Sequence, residues 1–337
     1  MATNKEYWLE RARQNDARTE AMKDRSAANL NTAFEDARRD IELRIEKFYR
    51  KYSTDGKVTP MEARKRLTAT ELSGLRKEFA QLQKTASTEA EKKYLESVRQ
   101  RIYISRQEAL LAGIRHSVTE LAVKTDEVLE VNSEDIFTEQ QMHQLYNLEQ
   151  FVGFKVQFDQ MSPTQLQTLA QLGYDGRSFS SKIWYDRDRL VRSVETILPR
   201  QFILGTSSQD LAKLLAKEMN TSYNNAARLI RTEGTKMSAE ADKNLYTQVG
   251  VAEYEYFATI DDVTTETCRD MDGKIFPVSE GKVGINLPPL HGNCRSTTLP
   301  VVDMAGYEQL RLVKDSDGKY IRIPKQSYRE WESTRVA

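Results

Sequence analysis

Three short stretches near the C-terminus organise the chain: Asp261-Asp262, then Thr267-Cys268-Arg269-Asp270-Met271-Asp272-Gly273, then Asn286-Leu287-Pro288-Pro289-Leu290-His291-Gly292-Asn293-Cys294-Arg295-Ser296. Both cysteines and one of the three histidines lie here. Two thiols and an imidazole drawn together across Gly- and Pro-rich loops read as a local staple, either a metal site or a rigid turn. His291 and Cys294 form a closely spaced donor pair, and Cys268 adds a third donor. Position 271, where a partner for Cys268 belongs, holds Met271, a poor zinc ligand. Asp270, Asp272 or water would then have to complete the set. The residues alone favour a reduced, buried cysteine pair packing the loop, with no cofactor; zinc is the alternative. A catalytic Cys–His pair needs a base in reach and an oxyanion site, and no protease signature surrounds these residues. Pro288-Pro289 presets an extended backbone that holds His291 in place. Asp272-Gly273 reads as a turn between two short strands, and Arg295 as the cation that closes the loop on carbonyls or an aspartate.

Upstream, residues 251–260 alternate Tyr254, Tyr256 and Ala258 against Glu253, Glu255 and Thr259, as a half-buried strand does. Before it the pattern is helical. A helix starts at Ser162-Pro163, another at Ser180 or Ser181, a third after Gly205-Thr206-Ser207-Ser208, and a long one at Thr221 or Ser222 that ends at Gly250. That last helix carries Arg231-Thr232-Glu233. Residues two apart do not face each other on a helix, so Arg231 and Glu233 are expected to tie it to neighbouring segments, Arg231 to Asp261 or Asp262. Further upstream, residues 17–52 carry a narrow apolar stripe of Leu30, Phe34, Ala37, Ile41, Ile45 and Phe48. Asp55-Gly56 stops that helix, and Thr59-Pro60 starts the next, striped by Leu72, Leu75, Phe79 and Leu82. A third spans about 88–123. Residues 124–161 are acidic and poorly periodic, with a short strand near 154–158. After the cassette, Asp317-Gly318 between two apolar runs predicts a hairpin.

The fold class expected is therefore α+β, mainly α: a long N-terminal helical arm or bundle, then a helical domain ending in a small β-containing cassette. The predicted divisions are 1–123 for the arm, 124–161 for an acidic linker, 162–304 for the cassette-bearing domain, and 305–337 for a hairpin and tail.

Composition narrows the function classes. The 337 residues hold 50 Lys/Arg and 50 Asp/Glu, and mean hydropathy is −0.65. Residues 1–115 carry 25 Lys/Arg against 18 Asp/Glu, a mildly basic balance. Arg38, Arg39, Arg44, Lys47, Arg50, Lys51, Arg64, Lys65 and Arg66 are the candidates for phosphate contact, interleaved with acids as on a plain solvated helix. No apolar run approaches a membrane span. The polar start predicts no signal peptide, and two cysteines make no disulfide framework, so a reducing intracellular setting is expected. P-loop, dinucleotide-binding and HExxH patterns are absent.

As a set of spaced motifs, Arg231-Thr232-Glu233, Asp262, Thr267-Cys268, Asp272-Gly273, Pro288-Pro289, His291 and Cys294-Arg295 resemble the C-terminal signature of the tailed-phage head morphogenesis family, the phage Mu F-like minor head proteins. Residues 178–184 and the opening Tyr7-Trp8-Leu9-Glu10-Arg11 also look like minor capsid proteins. Met271 and Ser296 stand where the Cys-rich members have cysteines, which argues that metal is not essential to this fold. The resemblance implies a non-enzymatic virion protein, made in the bacterial cytoplasm and placed inside the capsid or at the portal vertex. Its implied partners are the portal protein, a scaffold or major capsid protein, and double-stranded DNA without sequence specificity; no membrane is implied. Related modules also occur joined to toxin domains, which leaves a transferase or nuclease as the enzymatic alternative. About forty residues follow the cassette, too short a stretch for an independent toxin domain.

Overall fold

The computed structural model describes residues 4–302 and 310–335. Ten α-helices and three strands are found among them, the mainly helical α+β class that the residue pattern implied. In order these are α1 (Asn4–Tyr52), α2 (Pro60–Arg64), α3 (Ala69–Thr85), α4 (Glu89–Arg99), α5 (Arg106–Val152), α6 (Pro163–Gln171), α7 (Phe179–Leu204), α8 (Ser208–Val249), β1 (Glu253–Phe257), α9 (Glu266–Met271), β2 (Ile275–Pro277), β3 (Thr297–Pro300) and α10 (Tyr328–Arg335).

Local chemistry accounts for many of the boundaries. Thr59 caps α2 by accepting the Glu62 N–H, with Pro60 at the first helical position. Thr68 and Glu71 form a reciprocal capping box on α3, and Ser162 and Gln165 one on α6. Ser207 starts α8 by accepting the Asp210 N–H. The restart expected at Thr221 or Ser222 is instead helix interior: the Thr221 hydroxyl donates to the Lys217 carbonyl one turn back, so a capping residue type sits mid-helix.

Two segments differ from the residue pattern for one reason. Helix α1 begins at Asn4 rather than 17, and α5 runs straight through the stretch expected to be a linker. In both, the buried face is partly polar: Asn15, Thr19 and Lys23 on α1, and Thr125, Asn132, Ser133, Gln140, Gln141, Gln144 and Asn147 on α5. A buried face written in amides and hydroxyls leaves no hydrophobic period to read. The third helix of the arm is in turn broken at residues 100–105 between α4 and α5, where Ile102 is solvent-exposed.

The chain folds into two compact units that do not follow chain order. The first comprises Met1–Ala27, Leu129–Phe179 and Arg228–Ala337; the second comprises Ala28–Val128 and Ser180–Ala227. Neither the 1–123 arm nor the 162–304 domain is a unit by itself, because α1, α5 and α8 each contribute to both.

The first unit is built on Trp8, Leu145, Leu148, Val152, Tyr246, Val249, Tyr254, Leu299 and Trp331. Its sheet has the order β2-β1-β3, antiparallel throughout, with Tyr254 opposite Phe276 on one side and Pro300 on the other. Tyr254, Tyr256 and Ala258 are the buried set of the β1 segment, as the alternation predicted. Residues 154–157 form isolated bridges rather than a strand, pairing Val156 with Leu312 and Phe154 with Arg322. The turn at Asp317-Gly318 is present, with Gly318 at φ +78° and Lys314 bridged to Tyr320. Within the second unit, Leu75, Phe79, Leu95, Val98, Ile104 and Ala112 form one core cluster.

Candidate functional site

Helix α8 supplies the platform for the cassette, and three adjacent residues on it point three ways. Arg231 reaches Asp24 (2.8 Å) and Glu20 (3.5 Å) on α1 rather than the expected Asp261 or Asp262. Glu233, almost fully buried, accepts the Tyr174 backbone N–H at 3.1 Å. Thr232, between them, holds the cassette itself by accepting the Asn293 N–H at 3.0 Å. One turn on, the Thr235 hydroxyl donates to the Cys294 carbonyl at 2.8 Å. Next to this triplet, Gly234 allows a close approach, since a Cβ there would lie 2.9 Å from Ile136 Cδ1 and 3.0 Å from Lys23 Cε.

The chain leaves β1, turns at residues 261–264, and enters α9, a helix that the sequence reading missed. Thr265 caps it by accepting the Cys268 N–H. Gly273 takes φ +76° directly after α9, so Asp272-Gly273 joins a helix to β2 rather than two strands. The Asp272 carboxylate accepts the Ala258 N–H at 2.8 Å and clamps this turn to the end of β1. The return loop contains a cis Pro288–Pro289 bond and Asn293 at φ +60°, a conformation that Asn tolerates better than most residues. Arg295 closes it on Asp261 at 2.6 Å, and the Thr259 hydroxyl donates to the Arg295 carbonyl. Thr267 and Asp262 are exposed.

These turns bring the three candidate ligands together. Cys268 Sγ lies 3.1 Å from His291 Nε2 and 3.7 Å from Cys294 Sγ. The three donor atoms fall within 4.8 Å of one another. Both cysteines are free thiols and buried, while His291 is half-buried. His291 Nδ1 sits 2.8 Å from the Gly292 carbonyl, so it carries the proton, and Nε2 turns its lone pair to the thiols. The Thr265 hydroxyl is 2.9 Å from Nε2, and the Tyr256 hydroxyl is 3.4 Å and 3.9 Å from the two sulfurs. Burial pushes the Cys268 thiol up, but hydrogen bonds from Ser296, Tyr256 and Thr265 outweigh it and hold it at about 7. Tyr256 is raised, first by burial and then by Cys294. A cleft of about 430 Å³ opens on the group, edged by Glu20, Arg231 and Arg295.

The donor set fits zinc as a three-ligand site. Two thiolates at tetrahedral zinc stand about 3.8 Å apart, close to the separation of the two sulfurs here. The fixed tautomer of His291 is the one a metal requires. Neither Asp270 nor Asp272 joins the group. Met271 packs instead against the apolar shell of Tyr256, Ala258, Cys268 and Cys294. A bound zinc would need water or a cleft hydroxyl to complete the set. Thr265 and Thr235 were not singled out from the residues, and Tyr256, Thr232 and Ser296 were named there without a role at this group. Only Tyr256 had a readable signal, its place on the buried face of β1.

The proposed DNA contacts are largely occupied. Arg38 pairs with Glu35, Arg39 with Asp36, Arg44 with Asp40 and Glu78, Lys51 with Glu71, and Lys65 with Glu62. The Arg66 guanidinium lies 4.3 Å over the Tyr103 ring. Lys47, Arg50 and Arg64 are exposed.

Comparison with known proteins gives this scaffold its class. Residues 192–299, from the middle of α7 into β3, match the family model described as Phage Mu protein F like protein. The chain thus carries a segment similar to phage Mu protein F, as the spaced motifs indicated. It is 26% identical over 303 residues to a protein of Enterococcus faecalis named NAD(+)–arginine ADP-ribosyltransferase EFV, covering 79% of this chain and 61% of that protein. It is 23% identical over 145 residues to an uncharacterized protein of Haemophilus influenzae, covering 43% of this chain and 32% of that protein. The chain therefore spans less than two thirds of either relative's length. No solved structure matches. Among the described residues, no helix is long and apolar enough to cross a membrane.

Proposed function

We propose that this chain is a phage minor head protein that acts without catalysis in prohead assembly, docked at the portal inside the capsid. The observation that carries the reading is the Mu F-like match over residues 192–299, which spans nearly the whole α8 platform and its cassette. Within it, Thr232, Thr235, Asp272 and Arg295 lock the loops by hydrogen bonds and an ion pair. The Cys268–His291–Cys294 group takes a zinc ion as a structural tie between α9 and the return loop. Non-specific DNA contact is the weaker part of the role, because five of the nine candidate cations are held by carboxylates.

Co-expression with the portal protein of the same phage tests the reading. Size-exclusion chromatography with light scattering is expected to show a stable complex at micromolar concentration. Absence of that complex would remove the portal role.

The relative named as an ADP-ribosyltransferase supports a second reading, in which this chain is an assembly-type module that accompanies such an activity. Transfer of ADP-ribose from NAD+ to an arginine-containing acceptor by the purified chain would replace the structural reading with that one.

A further inference from the structure

Six helix ends of the second unit meet at one end of it. Helices α1, α4 and α7 finish there at Tyr52, Arg99 and Leu204, while α3, α5 and α8 start there at Ala69, Arg106 and Ser208. Direct contacts hold the intervening loops together. Leu67 N–H donates to the Ile104 carbonyl at 2.9 Å, and Arg106 N–H to the Lys65 carbonyl at 3.0 Å. The Tyr49 hydroxyl donates to the Thr206 carbonyl, and a Cβ at Gly205 would lie 3.3 Å from Lys57 Cδ.

These loops and helix ends expose a set of large apolar side chains: Met61 at 72%, Ile102 at 73%, Tyr103 at 68%, and Ile203 and Leu204 at 64% each. Exposed cations surround them, namely Lys57, Arg64, Lys65, Arg66 and Arg101. Most carboxylates of the same end are already committed. Glu62 pairs with Lys65 and Arg106, and Glu71 with Lys51 and Arg106. Glu108 accepts from the Ser105 N–H and hydroxyl, and Asp210 from the Ser207 hydroxyl. Asp55, in the exposed turn after α1, is left as the free acid of these loops among the described residues.

We propose that this loop end is a docking surface for a partner protein that offers apolar sockets rimmed by carboxylates. Scattered exposed apolar residues are ordinary, but a cluster rimmed by polar groups marks an interaction site. Tyr, Arg and Met are enriched in protein interfaces, and an aromatic stacked on Arg, as in Tyr103 under Arg66, is a common anchor. Phosphate contact alone makes no use of five aliphatic and aromatic side chains. A bilayer anchor is typically one continuous amphipathic helix, whereas these groups stand on three separate connections. The assignment rests on the head-protein reading and deepens it by naming the surface that faces the portal.

The test uses the full chain and the portal protein in the co-expression assay. Two double variants, Ile102→Asp with Leu204→Asp and Arg64→Glu with Arg66→Glu, are each expected to weaken the complex at least tenfold. Their thermal unfolding should stay unchanged, since these side chains are exposed. Ile285→Asp, equally exposed at 68% in the other unit, is expected to bind as wild type. A wild-type complex that both double variants match overturns the docking surface while leaving the head-protein reading intact. No wild-type complex at all overturns both. Flotation with phosphatidylglycerol vesicles that depends on Ile102 and Leu204 would give the surface to a bilayer and overturn the protein assignment.

Discussion

Asp242, on α8, is a carboxyl sealed in the first unit. It accepts hydrogen bonds from Gln140 Nε2 at 2.7 Å and from the Thr298 hydroxyl at 3.0 Å. Burial pushes it up to about 7, and those two bonds offset only part of the rise. Between its ordinary value near 4 and 7, the folded chain keeps a proton that the unfolded chain has lost. Folded stability should therefore fall as pH rises through that window and level off above it, with a slope from this group of up to about 1.4 kcal/mol per pH unit. Asp242→Asn should remove that slope, so that the variant gains on the wild type with rising pH. Gln140 Oε1 lacks a partner among the described residues, and a rotated amide could accept from the new Asn. Urea unfolding at pH 4.5, 6 and 8 checks this; parallel pH profiles for the two proteins would refute the assignment.

At the scale of elements, the cassette is a short helix and a return loop that share one cluster of donors. If zinc ties them, the purified chain should hold about one zinc per molecule, the stoichiometry of a single tetrahedral site. Cys268→Ser or His291→Ala should lose the metal, and a chelator should lower the melting temperature of the wild type but not of those variants. Met271→Cys, which supplies a third thiolate and so a fourth protein ligand beside the group, should tighten zinc on the order of tenfold or more. A metal-free wild-type protein whose melting ignores chelators would leave only the packing role. The coming together of Cys268, His291 and Cys294 was legible because their residue types are scarce and their spacing short. Helix α9 was not, since six residues after a Thr cap carry too little periodicity. The middle residue of the Arg231-Thr232-Glu233 triplet also escaped notice, because charged residues attract the eye and a hydroxyl facing a loop leaves no pattern.

For the whole molecule, the hydrophobic stripes of 30–48 and 72–82 were legible because both lie on helices that bury aliphatic faces in the second unit. That both units draw on α1 and α5 was hidden, because the parts of these helices in the first unit bury Asn15, Gln140, Gln144 and Asn147 in place of aliphatics. One consequence is measurable. A fragment of residues 162–304 lacks Trp8, Leu145, Leu148, Val152 and Trp331, all members of the core that supports β1. It should show helical circular dichroism without a cooperative melt and should bind a hydrophobic dye, the signs of lost packing. A sharp melt from that fragment would mean that the cassette domain folds alone.

The placement of the tryptophans has a spectroscopic use. Trp8 and Trp331 lie in the core of the first unit, and the Trp331 indole N–H donates to the Glu149 carboxylate at 2.6 Å. Trp184 belongs to α7 in the second unit. The molecule thus carries intrinsic optical labels already sorted by unit. With Phe at positions 8 and 331, the remaining emission reports the second unit alone; with Phe at 184, it reports the first. Unfolding followed by fluorescence can then resolve whether the two halves, threaded by the same three helices, melt in one transition or in two.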